Sequence, residues 1–381
     1  MLLLIASLLV ASSAIAAPCR LVGQPWLEAR LSDGRLVRSV DAKLGERVPV
    51  FVAAPAELDG KRVVLGDGGT GRVPLAEVKP RCGEPQIAWR RIEPLMEHTH
   101  TRSPNTSVTV YANAVVFGPK HGTWIGYDRL EYVETPLPDG GPSLVVEDAR
   151  PSASIAMPER PADFARLGVM HLAATITLAG TSASTPGIDR RDRQLDAATF
   201  RYTFRTRDDF LGWLTTFFNV PYLFGSAGKG ARAQAERYVG ADCADVLVAA
   251  LRRSGLPLEY SSVAELVGKL PRIAGPVELP ACAPETRCAT TPLRYGREVQ
   301  PGDLVALDYV TAEELPRAWD HIVSVVEDRG PGDAPDGLLG PEDLVADIGD
   351  RAGLKLARLG DQGHIRLVVL RAQARSGKPR P

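Results

Sequence analysis

The chain of 381 residues has no excess of charge of either sign: 45 Lys and Arg stand against 46 Asp and Glu, a net charge of −1. With no long run of Lys or Arg, it is not a nucleic-acid carrier held by bulk electrostatics. Beyond the first sixteen residues it lacks any apolar run near the roughly 20 residues of a membrane-crossing helix. Cysteines number only five, and no two have C-x-x-C spacing, so neither a metal site nor another cofactor is expected. No internal repeat stands out. Hydrophobic residues still make up 44%, which excludes wholesale disorder, and the length suits two or three domains rather than one.

The odd cysteine count gains meaning from the start of the chain. Residues 1–16 are apolar and end in Ala14-Ile15-Ala16, the small-x-small pattern of a cleaved signal peptide. Pro18 before Cys19 does not suit a lipidation site. A soluble secreted or periplasmic product is therefore expected, in a compartment where disulfides persist. Five cysteines then leave at least one unpaired within the chain. Cys19 and Cys82 bracket one segment, while Cys282 and Cys288 lie six apart in a Pro-rich stretch. The simplest pairing joins 19 with 82 and 282 with 288, leaving Cys243 alone.

The chain reads as multidomain, with N-terminal all-β modules followed by an α+β domain. Residues 17–88 hold short strand-like segments at 36–40 and 48–52, broken by Asp59-Gly60 and the glycines of 66–69. Their ending, Gly71-Arg72-Val73-Pro74-Leu75-Ala76-Glu77-Val78, resembles the closing strand and turn of a bacterial SH3-like module. A second β-rich region, 89–206, has strand-like segments at 107–111, 115–117 and 173–178, with loops at 136–142 and 150–161. From 207 to 373 the pattern changes. Residues 211–218 are partly helical and 246–253 clearly so; after the Pro-rich stretch 271–292 come strands at 304–309, 321–326, 344–348 and 365–370. Residues 374–381 are a tail.

The lone cysteine stands where a helix begins. Val246, Leu247, Ala250 and Leu251 form one helical face, and Gly255 suits the position just past the helix end. Asp242 fits the N-cap, which places Cys243 at the first helical position, where the helix dipole and backbone N–H groups favour a thiolate. Those N–H groups can also hold the oxyanion formed when a thiolate attacks a carbonyl. A thiolate needs a base. His321 opens the alternating segment His321-Ile322-Val323-Ser324-Val325-Val326, so its ring shares a face with Val323 and Val325. Asp347, ending Leu344-Val345-Ala346-Asp347, is the candidate third group to orient the ring.

At these residues the chain resembles the NlpC/P60 superfamily of papain-like cysteine peptidases. Five motifs match in order: Val220-Pro221-Tyr222-Leu223-Phe224-Gly225-Ser226, Asp242-Cys243 with its apolar helix, Gln300-Pro301-Gly302-Asp303-Leu304-Val305, Asp320-His321-Ile322-Val323, and Val345-Ala346-Asp347 followed by Gly353-Leu354-Lys355-Leu356. The resemblance implies a papain-like catalytic domain that hydrolyses amide bonds of peptidoglycan stem peptides or muropeptides through Cys243, His321 and Asp347. It further implies that Tyr222, Asp242 and Asp245 lie on the substrate side. The chain departs from the family pattern at Ala244-Asp245, where relatives carry Ser-Gly, and a carboxylate at 245 sets negative charge against a thiolate. About ten residues around 331–340 look inserted. The helix and its Gly255-Leu256-Pro257 exit also resemble transglutaminase-like proteins, which use the same Cys-His-Asp acyl transfer. A wall-binding protein without catalysis is the third reading, and the sequence carries no signal for an oligomeric state.

Overall fold

The computed structural model describes residues 19–94, 132–138, 141–150, 165–189, 195–223, 233–282, 289–310, 319–349 and 353–372. The expected signal peptide, the strands expected at 107–111 and 115–117, the tail and Cys288 all lie outside the described residues. The first half comprises β1 (Cys19–Leu21), β2 (Trp26–Arg30), β3 (Leu36–Val37), β4 (Ser39–Lys43), β5 (Val48–Leu58), β6 (Lys61–Leu65) and α1 (Leu75–Cys82). There follow β7 (Gln86–Pro94), β8 (Tyr132–Pro136), β9 (Ser143–Val146), β10 (Gly168–Leu178), β11 (Thr181–Ser184) and β12 (Phe200–Arg205).

These strands make two sheets that cross the expected limit at residue 88. Strand β5 is long enough to serve two pairs of neighbours: residues 48–53 pair with β2 and β9, and residues 54–58 with β1 and β6. The second sheet runs β4-β12-β10-β7-β8, with β11 on β10. Its β4–β12 pair is parallel, with Val40 opposite Tyr202. Strand β9 thus returns to the first sheet while β4 leaves to join the second, and one apolar cluster takes Val50, Leu65, Trp89, Leu172 and Tyr202 from both regions. Alternation along a strand shows which face is buried but not which partner it pairs with, which is why the two regions read as separate.

The SH3-like ending also differs. Residues 75–82 form a helix, because Leu75, Val78 and Cys82, spaced by three and four, turn one face to that core. The Asp67 carboxylate accepts from the Leu75 N–H at 3.0 Å at its start. This helix brings Cys82 to Cys19 at the end of β1, and the two form the expected disulfide with Cα atoms 5.7 Å apart.

The second half contains α2 (Phe210–Leu214), α3 (Cys243–Arg253), α4 (Val263–Lys269) and β13 (Arg272–Leu279), then β14 (Leu304–Tyr309), β15 (His321–Glu327), β16 (Leu344–Gly349), β17 (Gly353–Arg358) and β18 (Ile365–Leu370). The six strands form one antiparallel sheet, ordered β13-β18-β14-β15-β16-β17. Strand β13 lies in the Pro-rich stretch, ahead of the strands read from the sequence. It is tolerated as a strand because it is at the sheet edge and its pairing slips around Ala274 to Val277, leaving Pro276 out of the ladder. Alternate residues feed two cores. Leu304, Ala306, Ile322, Ala346 and Val368 face α2 and α3, while Val305, Val323, Val325, Val345 and Val369 face the other side.

One carboxylate ties the halves together. Asp41 of β4 accepts from Thr203 at 2.7 Å, Arg201 at 3.0 Å and, at the far end of α3, Arg253 at 2.9 Å. The described residues are therefore β-dominated and form several sheets, with helix α3 buried on the last of them. Among the described residues no helix is long and apolar enough to cross a membrane.

Candidate active site

Helix α3 starts and stops as its residue types dictate. The Asp242 carboxylate accepts from the N–H of Ala244 at 3.0 Å and of Asp245 at 2.9 Å, the geometry of an N-cap. At the other end Leu256 N–H reaches the Leu251 carbonyl at 2.9 Å and Gly255 N–H the Arg252 carbonyl at 3.1 Å. This paired closure requires the left-handed φ of +100° at Gly255. Cys243 is thus the first helical residue. Asp242 engages the second and third N–H groups, so the N–H left at the open end of the helix is that of Cys243 itself. Among the described residues Cys243 is the free cysteine, and it is buried; Cys282 is disulfide-bonded.

Burial of the helix on the sheet brings the thiol to the base. Helix α3 packs on β15 and β16, and the face it covers carries Ile322, whereas Val323 and Val325 point into the opposite core. Strand alternation thus keeps His321 in phase with Val323 and Val325, as expected, on the side of β15 away from the face that α3 covers. His321 reaches Cys243 because it is the first residue of β15, where the strand enters the sheet and its side chain is not confined between two layers. The two side chains come close enough for each to act on the other's protonation.

The register of β15 and β16 supplies the third group. Ser324 lies opposite Ala346 and Val325 opposite Val345, which sets Asp347 diagonal to His321 on the same face. The His321 Nε2 and Asp347 Oδ1 are 2.7 Å apart, and the other carboxylate oxygen, Oδ2, accepts from Gln362 Nε2 at 3.1 Å. With Nε2 committed to Asp347, Nδ1 is the ring nitrogen left for the sulfur. Burial by itself would push the His321 pKa down. The negative charge at Cys243 and the hydrogen bonds to Asp347 and Cys243 outweigh it and raise the pKa to about 10, so the imidazolium persists at neutral pH. Burial likewise pushes Asp347 upward, but the hydrogen bond and charge of His321, with Lys355 and Gln362, hold it below the usual carboxylate range.

The other expected site residues fall into two places. Tyr222 forms an isolated bridge with Ala241, and Leu223 N–H donates to the Ala241 carbonyl at 2.9 Å. Its backbone therefore runs beside the segment that leads into Cys243; Phe224, Gly225 and Ser226 of the same motif lie outside the described residues. Asp242 is the helix cap. Asp245 is buried, at 5% exposure, and its Oδ2 has no hydrogen-bond partner. Burial, with the charge of Asp242 second, raises its pKa to about 8. Its burial thus favours the protonated form at neutral pH and lessens the negative charge that its residue type would bring to the helix start.

Sequence motifs missed Gln362 and Tyr309. Gln362 ends a 3-10 turn, Leu359–Gln362, and carries no residue-type signal of its own. Tyr309, at the end of β14, donates its hydroxyl to Gln362 Oε1 at 2.9 Å and stacks near the His321 ring with centroids 6.4 Å apart. Its place beside the base strand, in the register that pairs Leu307 with His321, was the signal available. Among the described residues no group of three or more His, Cys, Asp or Glu is placed to hold a metal.

Comparison of the chain with protein-family models, with curated proteins and with solved structures finds no match. The chemistry of the site is thus read from its geometry: a thiol at a helix N-terminus, a protonated imidazole against it, and a carboxylate holding the imidazole. That set suits nucleophilic attack on a carbonyl followed by proton delivery to the leaving group.

Proposed function

We propose that the chain is an exported cysteine peptidase or amidase of the NlpC/P60 type, with a papain-like catalytic domain, that hydrolyses amide bonds of peptidoglycan stem peptides. The single observation that carries the catalytic part is the meeting of Cys243, at a helix start, with His321, which is hydrogen-bonded to Asp347 on the neighbouring strand. The substrate class rests on the ordered motif set of the sequence.

In this mechanism the Cys243 sulfur attacks the amide carbon, and the new C–S bond moves an electron pair onto the carbonyl oxygen. The Cys243 N–H faces that oxyanion. The His321 imidazolium then gives its proton to the amide nitrogen as the C–N bond breaks and the amine leaves. A water molecule, deprotonated by His321, attacks the thioester, and the thiol is released with the acid product. Asp347 keeps Nδ1 of the ring toward the sulfur through both steps.

The test is mass spectrometry of muropeptides incubated with the parent protein and with Cys243→Ala. The proposal expects new peptide fragments, each pair summing to its precursor plus one water, from the parent only. Equal cleavage by both proteins overturns it. A second reading, a transglutaminase-like acyl transferase, is favoured by the carboxylate at the third position. Adding a primary amine separates the two: hydrolysis leaves the amine free, whereas acyl transfer joins it to the product in place of water.

A further inference from the structure

The His321 side chain is held by more than its carboxylate partner. Asp347 spends Oδ1 on His321 Nε2, at 2.7 Å, and Oδ2 on Gln362 Nε2, at 3.1 Å. Gln362 in turn accepts from the Tyr309 hydroxyl at Oε1, at 2.9 Å, and the Tyr309 ring lies nearly parallel to the imidazole, 19° from it, with centroids 6.4 Å apart. The four side chains close a circuit, from ring to carboxylate to amide to phenol and back to the ring.

The direction of each bond follows from what each group can donate. A phenol hydroxyl donating to Oε1 fixes which way the Gln362 amide faces, so the amide N–H and not its oxygen meets the carboxylate. A carboxylate held at both oxygens cannot rotate its charge away from the imidazole. The backbone supports the same arrangement. Tyr309 is opposite Ile365 in the β14–β18 pair. Gln362 lies three residues before Ile365 in a turn anchored by the fully buried Leu359, whose N–H donates to the Asp343 carbonyl at 2.9 Å. Tyr309 is thus carried by the sheet, and Gln362 by a turn anchored in the core beside it.

We propose that Gln362 and Tyr309 are positioning residues for the Cys243–His321 pair: Gln362 fixes the Asp347 carboxylate, and Tyr309, whose ring lies alongside that of His321, fixes Gln362. Neither need touch the reacting atoms. The role rests on the peptidase reading only for its effect on turnover, since the geometry of the ring is measurable without any substrate.

The experiment compares the parent with Gln362→Leu, Tyr309→Phe and the double variant. The first readout is the titration of the His321 ring by NMR, which needs no substrate. Gln362→Leu is expected to move the His321 midpoint down, Tyr309→Phe to move it in the same direction by less, and the double variant to match Gln362→Leu, because the phenol acts through the amide. The second readout is turnover of muropeptides. Gln362→Leu is expected to lower kcat by about ten- to a hundred-fold, the scale of a small misplacement of a catalytic group, with KM little changed. A His321 midpoint unmoved in both single variants overturns the proposal, as does a double variant whose shift equals the sum of the two. Should Gln362→Leu fail to fold, the Tyr309→Phe titration decides alone. Loss of the shift with turnover intact sinks the positioning role; a shift in a protein that cleaves no muropeptide upholds the positioning role and sinks the peptidase reading.

Discussion

At the residue scale the site is a set of mutually dependent protonation states. His321 keeps its proton because negative charge at Cys243 and the Asp347 carboxylate both favour the imidazolium. Asp347 stays ionised because His321, Lys355 and Gln362 surround it. Burial instead favours the protonated form of Asp245, two residues past the thiol, at pH 7, so the helix dipole at Cys243 is less opposed. Truncating the third group separates orientation from charge. Asp347→Ala removes both and is expected to lower kcat by roughly 10²- to 10⁴-fold. Asp347→Asn keeps an oxygen that accepts from Nε2 and is expected to lose less. Steady-state kinetics on muropeptides checks both, and equal rates for Asp347→Ala and the parent contradict the assignment. Cys243, His321 and Asp347 were legible in the sequence because helix capping and strand alternation are local rules. Gln362 and Tyr309 were not, since their roles come from the side chains they meet across the sheet. The protonation of Asp245 was hidden for the same reason: residue type indicates a charge, but burial decides it.

At the scale of elements, α3 positions the Cys243 thiol, and its start is fixed by one side chain. Asp242 satisfies two of the N–H groups that a helix leaves unpaired. Asp242→Ala is expected to cost about 1 kcal/mol, seen as a lower urea midpoint. An unchanged midpoint contradicts the capping role. The helix, its cap and its Gly255 terminus could be read from eleven consecutive residues and their neighbours. Strand β13 could not, because Pro276 and Gly275 signal a break that the edge of the sheet accommodates. Helix α1 was missed for a different reason: its apolar face is only Leu75, Val78 and Cys82, and the first of these follows a Val-Pro pair typical of an extended segment.

At the scale of the whole molecule, two histidines contribute to how folding depends on pH, with opposite signs. His171, buried in β10, has its pKa lowered to about 3 by burial first and by the charges of Arg201 and Arg237 second. As pH falls from about 6.5, the unfolded chain takes up a proton there that the folded chain refuses, so stability drops toward pH 3. His321 has the opposite sign. Its raised pKa contributes stability that is complete below about 6.5 and is lost as pH rises through about 10. Asp245, with its raised pKa, works in the opposite sense to His171 as pH falls below about 8. The His171 contribution is therefore read as a difference: the urea midpoint of the parent is expected to fall relative to that of His171→Gln as pH drops from 7 to 4. A difference between the two proteins that stays constant from pH 7 down to pH 4 contradicts this account. The interleaving of the first two β regions also belongs to this scale. Asp41, Arg201 and Arg253 meet across more than 150 residues of chain, and no local pattern records such a meeting.

The most direct measurement is the rate at which iodoacetamide modifies Cys243 at pH 7, located by peptide mass spectrometry, in the parent and in His321→Ala. A sulfur paired with an imidazolium reacts as a thiolate, so the parent is expected to be modified markedly faster than the variant. Equal rates in the two proteins would contradict the central claim that Cys243 and His321 act as one catalytic pair.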